Sequence, residues 1–199
     1  MKKRLIIVFV AILFTFVLTA CGNTNTDDNN INTSKLINCS ALITSADVGD
    51  VLGVNMLNNA DDIVDLKDEL GGFSKCVYNS EAYMYQIFLY QDALLSERVL
   101  ENANTEWVFR NLVEGYKDNK DWQNHIIPVE GIGEEAYLTD MTGREMWTLS
   151  VLQSGYRIDM IITYNPAKHE PYDGENEWKV EKLKELGIIA VNRLKNIIQ

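Results

Sequence analysis

Three cysteines, two histidines and two clusters of carboxylates are the residues of this chain whose types could do chemistry. The cysteines are Cys21, Cys39 and Cys76. A pair of thiols can form a disulfide or sit buried as small apolar side chains. Two cysteines alone make a poor zinc site, and no histidine lies near any of them in sequence. His125 and His169 are far apart and have no partner at ligand spacing, so each reads as an exposed loop histidine. Asp61, Asp62, Asp65, Asp68 and Glu69 crowd one stretch, and Asp173, Glu175 and Glu177 another. Neither stretch has the alternating oxygen ligands and placed glycine of a calcium loop, and both read as solvated charged surface. Glu134 and Glu135 are adjacent, so on a strand they point to opposite faces and do not form an acid–base pair. There is no G-x-S-x-G elbow, Walker loop or H-E-x-x-H pair. Gly131-Ile132-Gly133 lacks a third phosphate-loop glycine and reads as a turn. No catalytic residue, cofactor or metal follows from these patterns.

Cys21 has a distinctive setting. Lys2, Lys3 and Arg4 are followed by an apolar run from Leu5 to Val17, broken only by Thr15. As a helix that run is about 20 Å long, too short to span a bilayer and the right length for a signal-peptide core. Leu18-Thr19-Ala20-Cys21 then resembles the bacterial lipobox. The resemblance implies cleavage before Cys21 and diacylglycerol on its sulfur, the thiol being the nucleophile that becomes a thioether. Two acyl chains anchor stably where one does not. The expected domains are a signal peptide over 1–20, a tether over 21–36 and one globular domain over 37–199. The expected location is the outer face of the cell membrane.

Gly22 to Lys35 is almost entirely Asn, Thr, Asp and Ser, with Ile31 its one aliphatic residue. Such a stretch cannot bury enough surface to offset its ordering entropy and reads as a spacer. Without the first twenty residues, 15 basic residues face 29 acidic ones, a formal charge of −14. That balance argues against nucleic acid and against adhesion to anionic lipid by the domain itself. Membrane attachment then falls to the lipid on Cys21.

The elements that position these residues follow from periodicity. Thr44-x-x-Asp47 predicts a capping box opening a short helix with Val48, Val51 and Leu52 inward and Gly53 as its stop. Val54–Leu57 reads as a short strand and Asn58–Gly72 as an acidic loop. Phe73–Tyr78 and Tyr83–Tyr90 predict a hairpin. Ser96 to about Tyr116 predicts a helix with Val99, Ala103, Trp107 and Leu112 inward. After a loop over 117–128, strands are expected at Glu134–Thr139, Glu145–Leu152 and Tyr156–Tyr164, with turns at Thr142-Gly143 and Ser154-Gly155. A loop over 165–174 leads to a helix from Glu177 to Ile198, inward at Val180, Leu183, Gly187, Ala190 and Leu194. The expected class is α+β, an antiparallel sheet of about five strands packed by two to three helices.

Cys39-Ser40-Ala41-Leu42-Ile43-Thr44, Val51-Leu52-Gly53, Cys76-Val77-Tyr78 and Val129–Tyr137 together resemble a family of small secreted lipoproteins best known from actinobacterial cell envelopes. The resemblance spans about residues 38–199. It implies a Cys39–Cys76 disulfide and a fold like the PsbP-type domains. It carries over no catalytic residues, and the acidic stretch 61–69 departs from its pattern.

On Tyr83–Tyr90 neither face is polar. Tyr83, Tyr85, Ile87 and Leu89 share one, and Met84, Gln86, Phe88 and Tyr90 the other. Either both faces are covered, or Tyr83, Tyr85, Phe88 and Tyr90 contribute to an aromatic surface for a ligand or partner. The functional expectation is a non-enzymatic envelope module binding a protein, glycan or small molecule. The alternatives are an envelope hydrolase with an unrecognised carboxylate site and an accessory subunit of a transport or secretion complex.

Overall fold

The computed structural model describes residues 36–58, 61–65, 73–92, 104–120, 125–140, 147–164 and 174–199, with the backbone alone for 61–65. A single turn of 3-10 helix, Cys39–Ala41, precedes α1 (Ser45–Leu52). Strands β1 (Asp61–Asp65), β2 (Phe73–Asn79) and β3 (Tyr83–Tyr90) follow, then α2 (Thr105–Asp118). Next come β4 (Ile126–Pro128), β5 (Glu135–Asp140), β6 (Trp147–Gln153) and β7 (Tyr156–Tyr164), and last α3 (Glu175–Ile198). The strands form one seven-stranded sheet, β1-β2-β3-β7-β6-β5-β4, antiparallel throughout. It consists of two meanders joined side by side where β3 pairs with β7. The class is α+β, with two more strands than expected.

Both extra strands are edges. Asp61–Asp65 lies inside the stretch read as a loop and pairs with β2. Ile126–Pro128 lies inside the other expected loop and pairs with β5. Aspartates in one and a proline in the other suit edge positions, where further pairing must be discouraged. Val54–Leu57, read as a strand, is not one: it makes no ladder. Instead Leu57 N–H donates to the Asn79 carbonyl, and Asn58 Oδ1 accepts from Asn79 N–H. The chain reaches that position by reversing at Gly53, whose left-handed φ of 68° ends α1 as expected. The Thr44–Asp47 capping box is present.

α2 starts later than expected. Asn104 is extended, and its side chain caps Trp107 N–H at 2.8 Å. Its buried stripe is Thr105, Phe109, Val113 and Tyr116. Trp107, expected inward, is 53% exposed, and Leu112 is only partly buried. Val99 and Ala103, the 142–143 turn and most of the 165–174 loop lie outside the described residues. At Ser154-Gly155 the expected hairpin turn forms, with φ of 52° and 80°.

One sheet face carries the main core. Tyr78, Tyr85, Ile87, Leu89, Leu149, Ile158, Met160 and Ile162 pack there against Leu183, Leu186, Ala190 and Leu194 of α3. Gly187 sits at the closest approach: a Cβ on it would lie 2.8 Å from Leu149 Cδ2. Cys39 and Cys76 are joined by a buried disulfide in the same core. α1 is held to α3 by Asp47 and Arg193, whose Nη2 lies 2.7 Å from Asp47 Oδ1.

Candidate functional site

The second sheet face has a different chemistry. Antiparallel register puts directly opposed residues on the same face. One row therefore runs Glu135, Leu152, Arg157, Tyr90, Phe73 across β5, β6, β7, β3 and β2. The next runs Tyr137, Ser150, Asp159, Phe88, Lys75. α2 covers the β5–β6 end, where Phe109 and Val113 pack on Tyr137 and Leu152. Toward β3 and β2 the face is aromatic and cationic, with Phe73, Lys75, Phe88 and Tyr90 half-buried.

Arg157 and Asp159 sit two apart on β7 and form a bidentate pair, both nearly buried. The guanidinium also lies 4.6 Å from the Tyr90 ring centroid. Burial alone would lower its pKa. The charge and hydrogen bonds of Asp159, with smaller contributions from Tyr90 and Tyr116, outweigh that and hold it above its ordinary value. Beside this pair, the Phe73 ring meets Phe88 and Tyr90 at 5.5 Å each, and Lys75 Nζ stands 5.0 Å over Phe88. Such a surface can stack a planar or ring-bearing group and offer it a cation.

The four aromatic residues singled out from sequence do not form one surface. Tyr83 and Tyr85 face the main core, Tyr83 against Trp178 at 5.0 Å. The Tyr85 hydroxyl is buried with no hydrogen-bond partner among the described residues, and burial pushes its pKa up. Phe88 and Tyr90 face the other way, so the platform keeps those two. Phe73, Lys75, Arg157 and Asp159 were missed, since their meeting depends on β2–β3 and β3–β7 register. The signal for half of them was available: Arg157 and Asp159 share a face of a strand that alternates cleanly.

The remaining candidates are dispersed. Glu134 accepts from Gln153 and the Ser154 N–H, while Glu135 pairs with Arg110 and Tyr137. His125 Nδ1 is 3.9 Å from Asp140 Oδ2, and His169 lies outside the described residues. Glu175 is not solvated surface as expected. It is buried in the first turn of α3, 3.3 Å from Lys179, whose ammonium lies over Tyr164. Glu177 is exposed. Cys21, Asp68, Glu69 and Asp173 lie outside the described residues. Among the described residues, no group of three or more His, Cys, Asp or Glu side chains could hold a metal ion. No helix among them is long and apolar enough to cross a membrane. An open cleft of about 680 Å³ beside α1, lined by Ser45, Gly49, Asp50, Gly53, Met56 and Leu57, holds Asp50 as its one ionisable group.

Compared with protein-family models, curated proteins and solved structures, the chain matches none.

Proposed function

We propose that this chain is an exported lipoprotein, anchored on the outer face of the cell membrane by diacylglycerol on Cys21. We further propose that its domain is a non-enzymatic binding module of the envelope. The observation that carries the anchoring is the order of the first twenty-one residues: three cations, a short apolar core, small residues and a cysteine. The Cys39–Cys76 disulfide supports it, because such bonds persist in oxidising compartments. The formal charge of −14 beyond residue 20 supports it too: an acidic domain needs a lipid to stay on an anionic bilayer. The resemblance to small envelope lipoproteins points the same way.

The half-buried platform of Phe73, Lys75, Phe88 and Tyr90 is where such a module would meet its ligand or protein partner. Neither the platform nor the Arg157–Asp159 pair sets a nucleophile against a base, which favours binding over turnover.

Cys21→Ala tests the anchoring. The wild-type chain should sediment with membranes and dissolve only in detergent. The variant should lose the lipid and appear in the soluble exported fraction or persist as uncleaved precursor of full-length mass. A variant that still sediments as a cleaved, lipid-bearing chain contradicts the proposal.

A further inference from the structure

The chain between Ile37 and Ile43 is tied to the sheet at almost every second residue. Ile37 N–H donates to Gln91 Oε1 at 3.0 Å, and Gln91 Nε2 donates back to the Ile37 carbonyl at 2.8 Å. Cys39 N–H donates to Ser74 Oγ at 3.0 Å. Cys39 is bonded to Cys76, and the Tyr78 hydroxyl donates to the Ile43 carbonyl. Ser74, Cys76 and Tyr78 are successive buried residues of β2, so the segment is laid along that strand. It covers the core there, with Cys39, Leu42 and Ile43 wholly buried.

We propose that this segment is a redox-locked strap, which is held shut over β2 once Cys39 and Cys76 have been oxidised to each other. Beside the disulfide, it is held by these hydrogen bonds, by Arg193 Nη1 on the Leu42 carbonyl and by the burial of Leu42 and Ile43. Its only regular structure is one 3-10 turn, which does not sustain itself. Segments at the border of a domain open first, at small cost. The bond links residues 37 apart. In the chain-entropy model that is worth several hundredfold in the folding equilibrium, roughly. Folding equilibria of small domains are on the order of 10³ to 10⁸, so the bond is a large share of the total.

The chemistry is thiol–disulfide exchange. The two cysteine thiols give up two protons and two electrons to the disulfide of an exchange catalyst or a small disulfide oxidant, which leaves as two thiols. Closure then buries both sulfurs, and an attacking thiolate reaches them only when the strap opens. The lock therefore sets on oxidation and resists reversal. Its use in the cell rests on the export reading: in a reducing cytosol the strap is unlocked and opens more readily, and it is locked after the membrane has been crossed.

Hydrogen exchange by mass spectrometry on the detergent-solubilised full chain tests this. The samples are the oxidised chain, Cys39→Ser with Cys76→Ser, and the wild-type chain reduced with a phosphine. Buried serines carry their own desolvation cost, so the reduced wild type is the deciding sample. Peptides over 36–47 should lose about a hundredfold or more in protection, alone or with β2 and β3, and regain it on reoxidation with oxidised glutathione. A loss below about tenfold in the reduced chain overturns the strap. Oxidised Gln91→Leu should fray only at 36–38. The measurement is made on purified chain, so a cytosolic location would sink the export reading and leave the strap standing.

Discussion

Asp47 joins three features of the fold at one carboxylate. It closes the capping box with Thr44, pairs with Arg193 of α3, and so ties the first helix to the last. Burial raises its pKa, but the hydrogen bonds from Arg193 and Thr44, together with the guanidinium charge, outweigh this and hold it at about 2. The folded value lies below the unfolded one, near 3.9. The stability it contributes is therefore present above about pH 4 and is lost as pH falls toward 2. Acid titration of the urea midpoint should show a loss in that window that is absent in Asp47→Asn. The variant itself should be weaker at pH 7 by about 1 to 2 kcal/mol. The Arg157–Asp159 pair makes a sharper prediction. Arg157→Met alone leaves a nearly buried carboxylate unpaired and should cost about 3 to 5 kcal/mol. Adding Asp159→Leu should restore part of that loss, because two well-packed apolar side chains need no counter-charge. A double variant weaker than the single one in urea denaturation would contradict this account of the pair.

At the level of elements, the β4–β5 connection depends on Gly133. Its φ is +65°, and a Cβ there would lie 2.5 Å from Val151 Cγ1 and 2.7 Å from the Leu152 carbonyl oxygen. Neither backbone nor branched side chain can yield, so Gly133→Ala should cost about 3 kcal/mol or more in thermal or urea unfolding. Gly131, also at positive φ but with open space around it, should tolerate alanine better. The turn over 131–133 was legible in sequence, as were the capping box, the β2–β3 hairpin, the Ser154-Gly155 turn and the stripe of α3. These are local features, written in adjacent residues. The edge strands were not legible. Asp61–Asp65 reads as loop because aspartate is depleted in strands, and only pairing with β2 orders it. Ile126–Pro128 is three residues long and ends in proline. α2 was misphased because Trp107 reads as core on hydropathy alone. The face that packs is Thr105, Phe109, Val113 and Tyr116, and Trp107 lies off it.

At the scale of the described residues, the sheet has one apolar face covered by α1, α3 and the strap, and one mixed face roofed at one end by α2. The platform was only half legible. Sequence separates the two faces of β3, but it cannot say that β7 brings Arg157 onto Tyr90, since β3 and β7 are far apart in the chain. If the platform is the binding surface, Phe88→Ala with Tyr90→Ala should abolish a partner cross-link found with the wild-type chain. Membrane attachment and the disulfide should persist. Loss of the cross-link only with changes on α3 would place the surface elsewhere.

Two covalent features join the proposed address to the fold: lipid on Cys21 and a bond between Cys39 and Cys76. The measurement that tests both is the intact mass of the membrane-extracted chain, with alkylation before and after reduction. The chain should start at Cys21 and be heavier by its acyl groups, with two thiols alkylated only after reduction under denaturing conditions. A full-length mass with Cys39 and Cys76 alkylated in the unreduced sample would contradict it.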